Sequence, residues 1–258
     1  MREIHLSLPG RDVSYRLVIE LGLRHHLGSL LSPRQFSPQL FVISDRHVAR
    51  LHGAPVLASL SAAGFTPVLL TTPPGERAKT WPVVQRLARE LLNRGAHRLC
   101  SVVALGGGVV GDLSGFLASI FMRGLPFIQV PTTLLAMVDA AIGGKTAINL
   151  PEGKNLIGTF HQPRLVAIDP EFLHTLPQAE RLNGLAEVLK AGFILDRELL
   201  TRVAAVRTRL FHDETGLTET IRRAAAIKAQ VVSHDEREGD LRRILNFGHT
   251  LGHGLEQA

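Results

Sequence analysis

Short apolar, β-branched runs alternate with helical stretches along the first two-thirds of the chain, and the last third turns helical throughout. Residues 14–19 and 40–44 predict strands, the second closing on a polar turn at Asp45 and Arg46. A helical stretch over 56–63 leads through Gly64 to a strand at 67–70. Between Thr80 and Asn93 the apolar residues Val83, Val84, Leu87 and Leu91 fall at helical spacing, and Gly95 offers a left-handed stop. Residues 101–105 predict a strand, followed by a glycine turn and a helix from about Val109, and 127–130 and 165–168 predict two more strands. Strands alternating with helices in this order predict an α/β fold with a parallel sheet covered on both faces.

After Pro177 helical periodicity takes over, in segments near 179–192, 196–211, 216–235 and 241–258. The change of character predicts two domains, 1–177 and 178–258. The last stretch, Gly252-His253-Gly254-Leu255-Glu256-Gln257-Ala258, carries no helix cap. A helix without a cap or anything to pack beyond it gives the expectation of an incomplete, truncated helical domain.

Composition narrows the function classes. With 45% apolar and 20% charged residues over 258 positions, the chain has enough apolar surface for a real core and is not a disordered one. The single cysteine, Cys100, lies in an apolar run and excludes an internal disulfide framework; it reads as a small buried residue. The net charge of +6 raises nucleic acid as a partner, but the basic residues are scattered and lack interleaved stacking aromatics. A small anionic substrate in a positive cleft accounts for the charge as well, so no nucleic-acid partner is expected. The N-terminus lacks an apolar signal stretch and every long apolar run is interrupted, so neither a membrane span nor a membrane partner is expected and the cytoplasm is the expected location.

Three segments carry candidate chemistry. Gly106-Gly107-Gly108-Val109-Val110-Gly111-Asp112 follows an apolar strand and opens a helix, so backbone can approach a pyrophosphate while the helix N-terminus offers its N–H groups. Its spacing is not G-x-G-x-x-G, and a ligand-free glycine turn is the alternative. Pro74-Gly75-Glu76-Arg77-Ala78-Lys79 adds a second polar loop after the preceding strand, at the sheet edge where nucleotides bind. Pro131-Thr132-Thr133 supplies two hydroxyls at a helix start, with Asp139 on the helix that follows. Gly143-Gly144-Lys145 and Gly153-Lys154-Asn155 then place two lysines beside glycines, suited to phosphate or carboxylate, or else simply solvated. In the helical part Glu187 and Lys190 stand three apart on one face, and His249 and His253 stand four apart. Such a pair can ligate a metal or lie solvated on a helix.

Taken together, Gly106 to Asp112, Val130 to Ala136, Gly143 to Ala147, Gly153 to Gly158, Phe160-His161-Gln162-Pro163, Gly184 to Lys190 and Leu245 to Glu256 resemble the 3-dehydroquinate synthase family. The segments run in one order over nearly the whole chain. The resemblance implies a Rossmann-like N-terminal domain, a helical C-terminal domain and a cleft between them. It implies NAD contacts at Glu76, Lys79, Gly107, Gly108, Asp112, Thr132, Thr133, Lys154, Phe172 and Thr175. Substrate-binding groups are implied at Arg123, Asp139, Lys145, Asn155 and Asn246, with Lys190, Lys228, Arg242 and His253 positioning substrate and moving protons. Glu187 and His249 match ligands for zinc (or cobalt), while a third metal-binding histidine of the family lies further along than this sequence runs. His174 stands where the family often carries lysine near the cofactor.

The resemblance further implies a homodimer acting on a small anionic sugar phosphate, 3-deoxy-D-arabino-heptulosonate 7-phosphate. In that chemistry NAD takes a hydride, phosphate leaves by β-elimination, the hydride returns, and an aldol step closes the carbocycle, with zinc as Lewis acid. Three rival readings share many of these motifs: another sugar-phosphate cyclase, an NAD- and metal-dependent polyol dehydrogenase, and an inactive fragment that still binds NAD.

Overall fold

The computed structural model describes residues 1–8, 14–32 and 35–248, the side chains of 206–208 apart. Its centre is a sheet of seven strands: β1 (Arg2–Ser7), β2 (Ser14–Ile19), β3 (Gln39–Asp45), β4 (Thr66–Thr72), β5 (Ser101–Gly106), β6 (Phe127–Pro131) and β9 (Leu165–Ile168). Their order across the sheet is β1-β2-β9-β6-β5-β3-β4. Every pairing is parallel except β1 with β2. The central strands are buried on both faces, β5 and β6 along their whole length, which is why they read as unbroken apolar runs instead of alternating ones.

The helices follow the predicted segments closely. Asp45 ends β3 and caps α1 (Arg46–Val48), its carboxylate accepting from the His47 and Val48 N–H groups; α1 runs through a π turn (Ala49–Gly53) into α2 (Ala54–Ala62). Next come α3 (Trp81–Asn93) and α4 (Gly108–Ile120). Gly95 adopts φ 80, the left-handed stop expected after α3. The last third supplies α5 (Gln178–Leu195), α6 (Arg197–Val206) and α7 (Glu214–His234). One continuous apolar core joins the two parts: Leu6, Leu17 and Val166 of the sheet share it with Val188, Leu199, Ile221 and Val232 of the helices.

Besides β1, an antiparallel edge strand that the sequence does not predict, two features depart from the sequence reading. Residues 145–160 form an antiparallel hairpin, β7 (Lys145–Leu150) with β8 (Gly153–Phe160), where the sequence reading has only glycine–lysine motifs. The fourth helical segment, expected over 241–258, is a 3-10 turn at Leu241–Asn246 as far as the described residues reach. No helix among the described residues is long and apolar enough to cross a membrane.

Candidate active site

The parallel strands end along one edge, and the candidate residues gather there. β5 ends at Gly106, and Gly107 is the N-cap of α4 with no side chain capping it, so the N–H groups of the first turn point into the turn without a side-chain partner. A Cβ on Gly107 would lie 2.9 Å from Thr133 Cγ2, and one on Gly108 3.3 Å from Ala140 Cβ. Glycine is therefore what lets the turn nest against the segment after β6. There Thr132 N donates to Gly106 O at 3.0 Å, and Thr133 Oγ1 accepts from Ala136 N at 3.2 Å. A backbone cradle that a methyl group would fill, in front of an uncapped helix N-terminus, fits a dinucleotide pyrophosphate.

A network of polar side chains closes one side of this turn. Lys79 is 3% exposed, and its ammonium contacts Asp112 Oδ2 at 2.6 Å, Asn155 Oδ1, and Glu76 Oε1 at 3.8 Å. Asn149 Nδ2 donates to Glu76 Oε1 at 2.8 Å. Burial pushes the Asp112 carboxyl up to about 6, against the pull of Lys79 and with added push from Glu76 and Asp139.

A helical wall comes from α5 and α7, packed against the segment after β6. A Cβ on Gly184 would lie 2.5 Å from Leu134 Cβ and 2.6 Å from Leu135 N, so glycine lets α5 dock directly onto the segment after β6. Farther along α5, Lys190 pairs with Glu187, three residues back. Beyond that ion pair, the inner Glu187 oxygen Oε2 has no hydrogen-bond partner among the described residues. From α7, Lys228 Nζ reaches Asp139 Oδ1 at 2.5 Å. Burial works to raise the Asp139 carboxyl, but Lys228, Lys190 and Arg242 outweigh it and hold the group below the usual carboxylate range. Four candidate residues from distant parts of the chain are thus drawn into one electrostatic cluster.

The third group surrounds the turn at Gly143 and Gly144, whose φ angles of 99° and 67° favour glycine. Arg242 is 2% exposed and donates through Nη1 and Nη2 to Gly143 O at 3.3 Å each, and through Nη1 to Glu236 O. On the other side Gly143 N donates to the Tyr15 hydroxyl at 3.0 Å. Next to this turn, Lys145 pairs with Glu238, which also accepts from Asn246 Nδ2 at 2.6 Å. Lys145 and Asn246, both expected to bind an anion, therefore meet at one carboxylate.

The remaining expectations are placed less centrally. Phe172 is 1% exposed, with the His52 ring edge-on at 4.8 Å and the Arg24 guanidinium 5.5 Å above it. Its neighbour Thr175 accepts or donates at His52 Nε2, 2.8 Å away, beyond the end of β9. Lys154 and Arg123 are exposed. His249 and His253 lie outside the described residues. Asn149, Glu238, Glu236 and Tyr15 are absent from the sequence reading. Asn149 and Glu238 carry no local signal there beyond the nearby glycine–lysine motif and an acidic stretch over 235–240.

A divalent metal fares differently from a nucleotide. Among the described residues no three histidine, cysteine, aspartate or glutamate side chains stand together as a metal site. Glu187 offers one ligand position where a zinc site takes three protein ligands, so the described residues alone do not fit the ion.

Comparison with known proteins gives the family. Residues 69–183 match the family model described as 3-dehydroquinate synthase N-terminal, and residues 184–258 match 3-dehydroquinate synthase C-terminal. A curated 3-dehydroquinate synthase from Thermodesulfovibrio yellowstonii is 46% identical over 99% of this chain and 71% of its own length. Among solved structures, a 2-deoxy-scyllo-inosose synthase complexed with carbaglucose-6-phosphate, NAD+ and Co2+ superposes with a TM-score of 0.90 at 28% identity, over all of this chain and 69% of that one. The 2-epi-5-epi-valiolone synthase ValA from Streptomyces hygroscopicus subsp. jinggangensis 5008, with NAD+ and Zn2+ bound, gives 0.86 at 32% identity, over 96% of this chain and 69% of that one. With a parallel-sheet edge, a glycine cradle and a lysine-rich helical wall already in place, these matches give the family: the chain belongs to the 3-dehydroquinate synthases.

Proposed function

We propose that the cleft between the glycine turn and the helices α5 and α7 converts 3-deoxy-D-arabino-heptulosonate 7-phosphate to 3-dehydroquinate and phosphate, with NAD used catalytically. The observation that carries this reading is the joining of Asp139, Lys190, Lys228 and Arg242 into one charged cluster beside the nucleotide cradle. A polyol dehydrogenase would need no such array of cations for its uncharged substrate. The family match favours the synthase over the other cyclases as well. NAD and a divalent zinc or cobalt ion are the cofactors on this reading, as one similar structure holds NAD+ with Zn2+ and the other NAD+ with Co2+.

When bound, NAD supplies a reversible hydride acceptor. The chain's own part begins with holding it. The first-turn N–H groups of α4 take the pyrophosphate at Gly107 and Gly108, while Glu76, Lys79, Asp112, Thr132, Thr133 and Lys154 line its seat, with Phe172 and Thr175 at the far end. Lys145, Asn155, Asn246 and Arg123 bind the anionic groups of the sugar phosphate. Asp139, held ionised, fixes the Lys228 ammonium, so that Lys228, Lys190, Arg242 and His253 are arranged for positioning and proton transfer. Glu187 and His249 are the metal-ligand candidates. Residues 1–177 seat the nucleotide and lend Arg123, Asp139, Lys145 and Asn155 to the substrate, 178–258 supply the remaining substrate groups and the metal-ligand candidates, and a cytoplasmic homodimer is the working form.

Phosphate release from the heptulosonate phosphate, measured with catalytic NAD and added zinc, tests the proposal. Phosphate should appear with no net rise in nicotinamide absorbance. Accumulating NADH would turn the reading toward a dehydrogenase. Absence of phosphate from a chain that binds NADH would leave a nucleotide-binding protein only.

A further inference from the structure

We propose that Asn149 is a positioning residue that ties the nucleotide side of the cleft to the substrate side, an inference that rests on the functional reading above. Asn149 lies near the end of β7, where the ladder with β8 shifts register between Ile148 and Leu150. Such an irregularity frees backbone groups from the ladder and re-aims a side chain. The freed Asn149 N–H donates to the Lys79 carbonyl at 2.8 Å. Its side chain faces two ways: Nδ2 donates to Glu76 Oε1 at 2.8 Å, and Oδ1 accepts from Asn155 N at 2.8 Å.

Those partners are all candidate site residues, two on the nucleotide side and one on the substrate side. Asn155 needs the help, because it holds φ 58, a left-handed conformation that a side-chain acceptor on its N–H stabilises. Asn155 Oδ1 in turn receives the Lys79 ammonium, which also holds Asp112. The result is a closed ring, Asn149 to Lys79 to Asn155 and back, with Glu76 attached. Only a side-chain amide of this length serves both ends, donating to a carboxylate and accepting from an N–H. Aspartate keeps the acceptor but sets a second carboxylate against Glu76.

Binding of NADH to the full chain tests this, read by energy transfer from Trp81, the single tryptophan, two residues beyond Lys79. Four proteins are compared: the parent, Asn149→Asp, Glu76→Gln, and the double variant. N149D should bind NADH about tenfold more weakly than the parent. In the double variant the amide introduced at position 76 can donate to the carboxylate introduced at position 149. N149D should therefore weaken NADH binding far less in the Glu76→Gln background than in the parent, which a merely structural role would not produce. The same rescue would stand if N149D failed to fold while the double variant folded and bound NADH. Parent-like affinity of N149D, an N149D loss as large in the Glu76→Gln background as in the parent, or loss of folding in both would each overturn the proposal. A parent that does not bind NADH would instead remove the nucleotide reading itself.

Discussion

Asp112, on α4 behind the glycine turn, and Asp139, on the segment after β6, are held in opposite ways. Asp112 has one cation against it, Lys79, and burial wins, raising its carboxyl to about 6. Asp139 has Lys228, Lys190 and Arg242 around it, and the cations win, lowering its carboxyl. The nucleotide wall thus joins backbone groups to one buried ammonium shared between Asp112 and Glu76. The substrate wall is built from side-chain charge, with cations from α5, α7 and the turn at Leu241–Asn246 gathered around one carboxylate. One fold edge supplies both environments because the first comes from a strand–turn–helix unit and the second from helices docked onto it.

The sharpest way to break the substrate wall alone is through its turn. Gly143→Ala places a Cβ 2.5 Å from Arg242 Nη2 and 2.8 Å from Val232 Cγ2, at a φ of 99°. It should cost about 3 kcal/mol, read as a fall of roughly 10 °C in thermal unfolding. Asp139→Asn comes next. It leaves Lys228 and Lys190 without their shared counter-charge, and about 2 kcal/mol should be lost at neutral pH, given that the pair is partly open to solvent. Asp112→Asn should cost less than that in the same unfolding experiment. If the two variants are equal, the contrast between the walls fails.

Titration sharpens the contrast further. The raised Asp112 carboxyl binds its proton more tightly folded than unfolded, so its contribution to stability is present below about pH 4 and is lost as pH rises toward 6. Asp139 behaves in reverse: its contribution is present above the unfolded value and is lost as pH falls through the lowered folded one. Between about pH 4 and 6, the change in unfolding free energy of the parent should differ from that of D112N by about 1 kcal/mol, the screened share of a partly open group. Parallel curves would show that Asp112 is not strained by burial.

The same division explains what could be read from the sequence. The nucleotide wall is local: a buried strand, three glycines and a helix stand in one short stretch, and parallel-sheet topology decides which edge they occupy. Strand and helix positions were legible because apolar runs and helical spacing persist through the central elements. The hairpin β7–β8 escaped because Gly153 and Gly158 break the pattern of its second strand, which is largely exposed. Asn149 escaped for a related reason, since its role depends on a register shift that no spacing announces. On the substrate wall, the pairing of Lys228 with Asp139 spans 89 residues and follows only from helix docking at Gly184. Residue type suggested each member, but not which partner it would meet. The buried clamp of Arg242 on the Gly143 carbonyl was likewise beyond reach, because it is fixed by Tyr15 from a distant strand.

NADH titration of the parent and of Gly107→Ala, followed by energy transfer from Trp81, tests most directly whether the turn after β5 seats the nucleotide. At this position φ is −73°, so alanine is not strained by backbone conformation and acts through its methyl group, set 2.9 Å from Thr133 Cγ2 in the cradle. Saturable transfer in the parent, weakened about tenfold or more in G107A with thermal unfolding shifted by only a few degrees, is the predicted result. Equal affinity in the two proteins would contradict it.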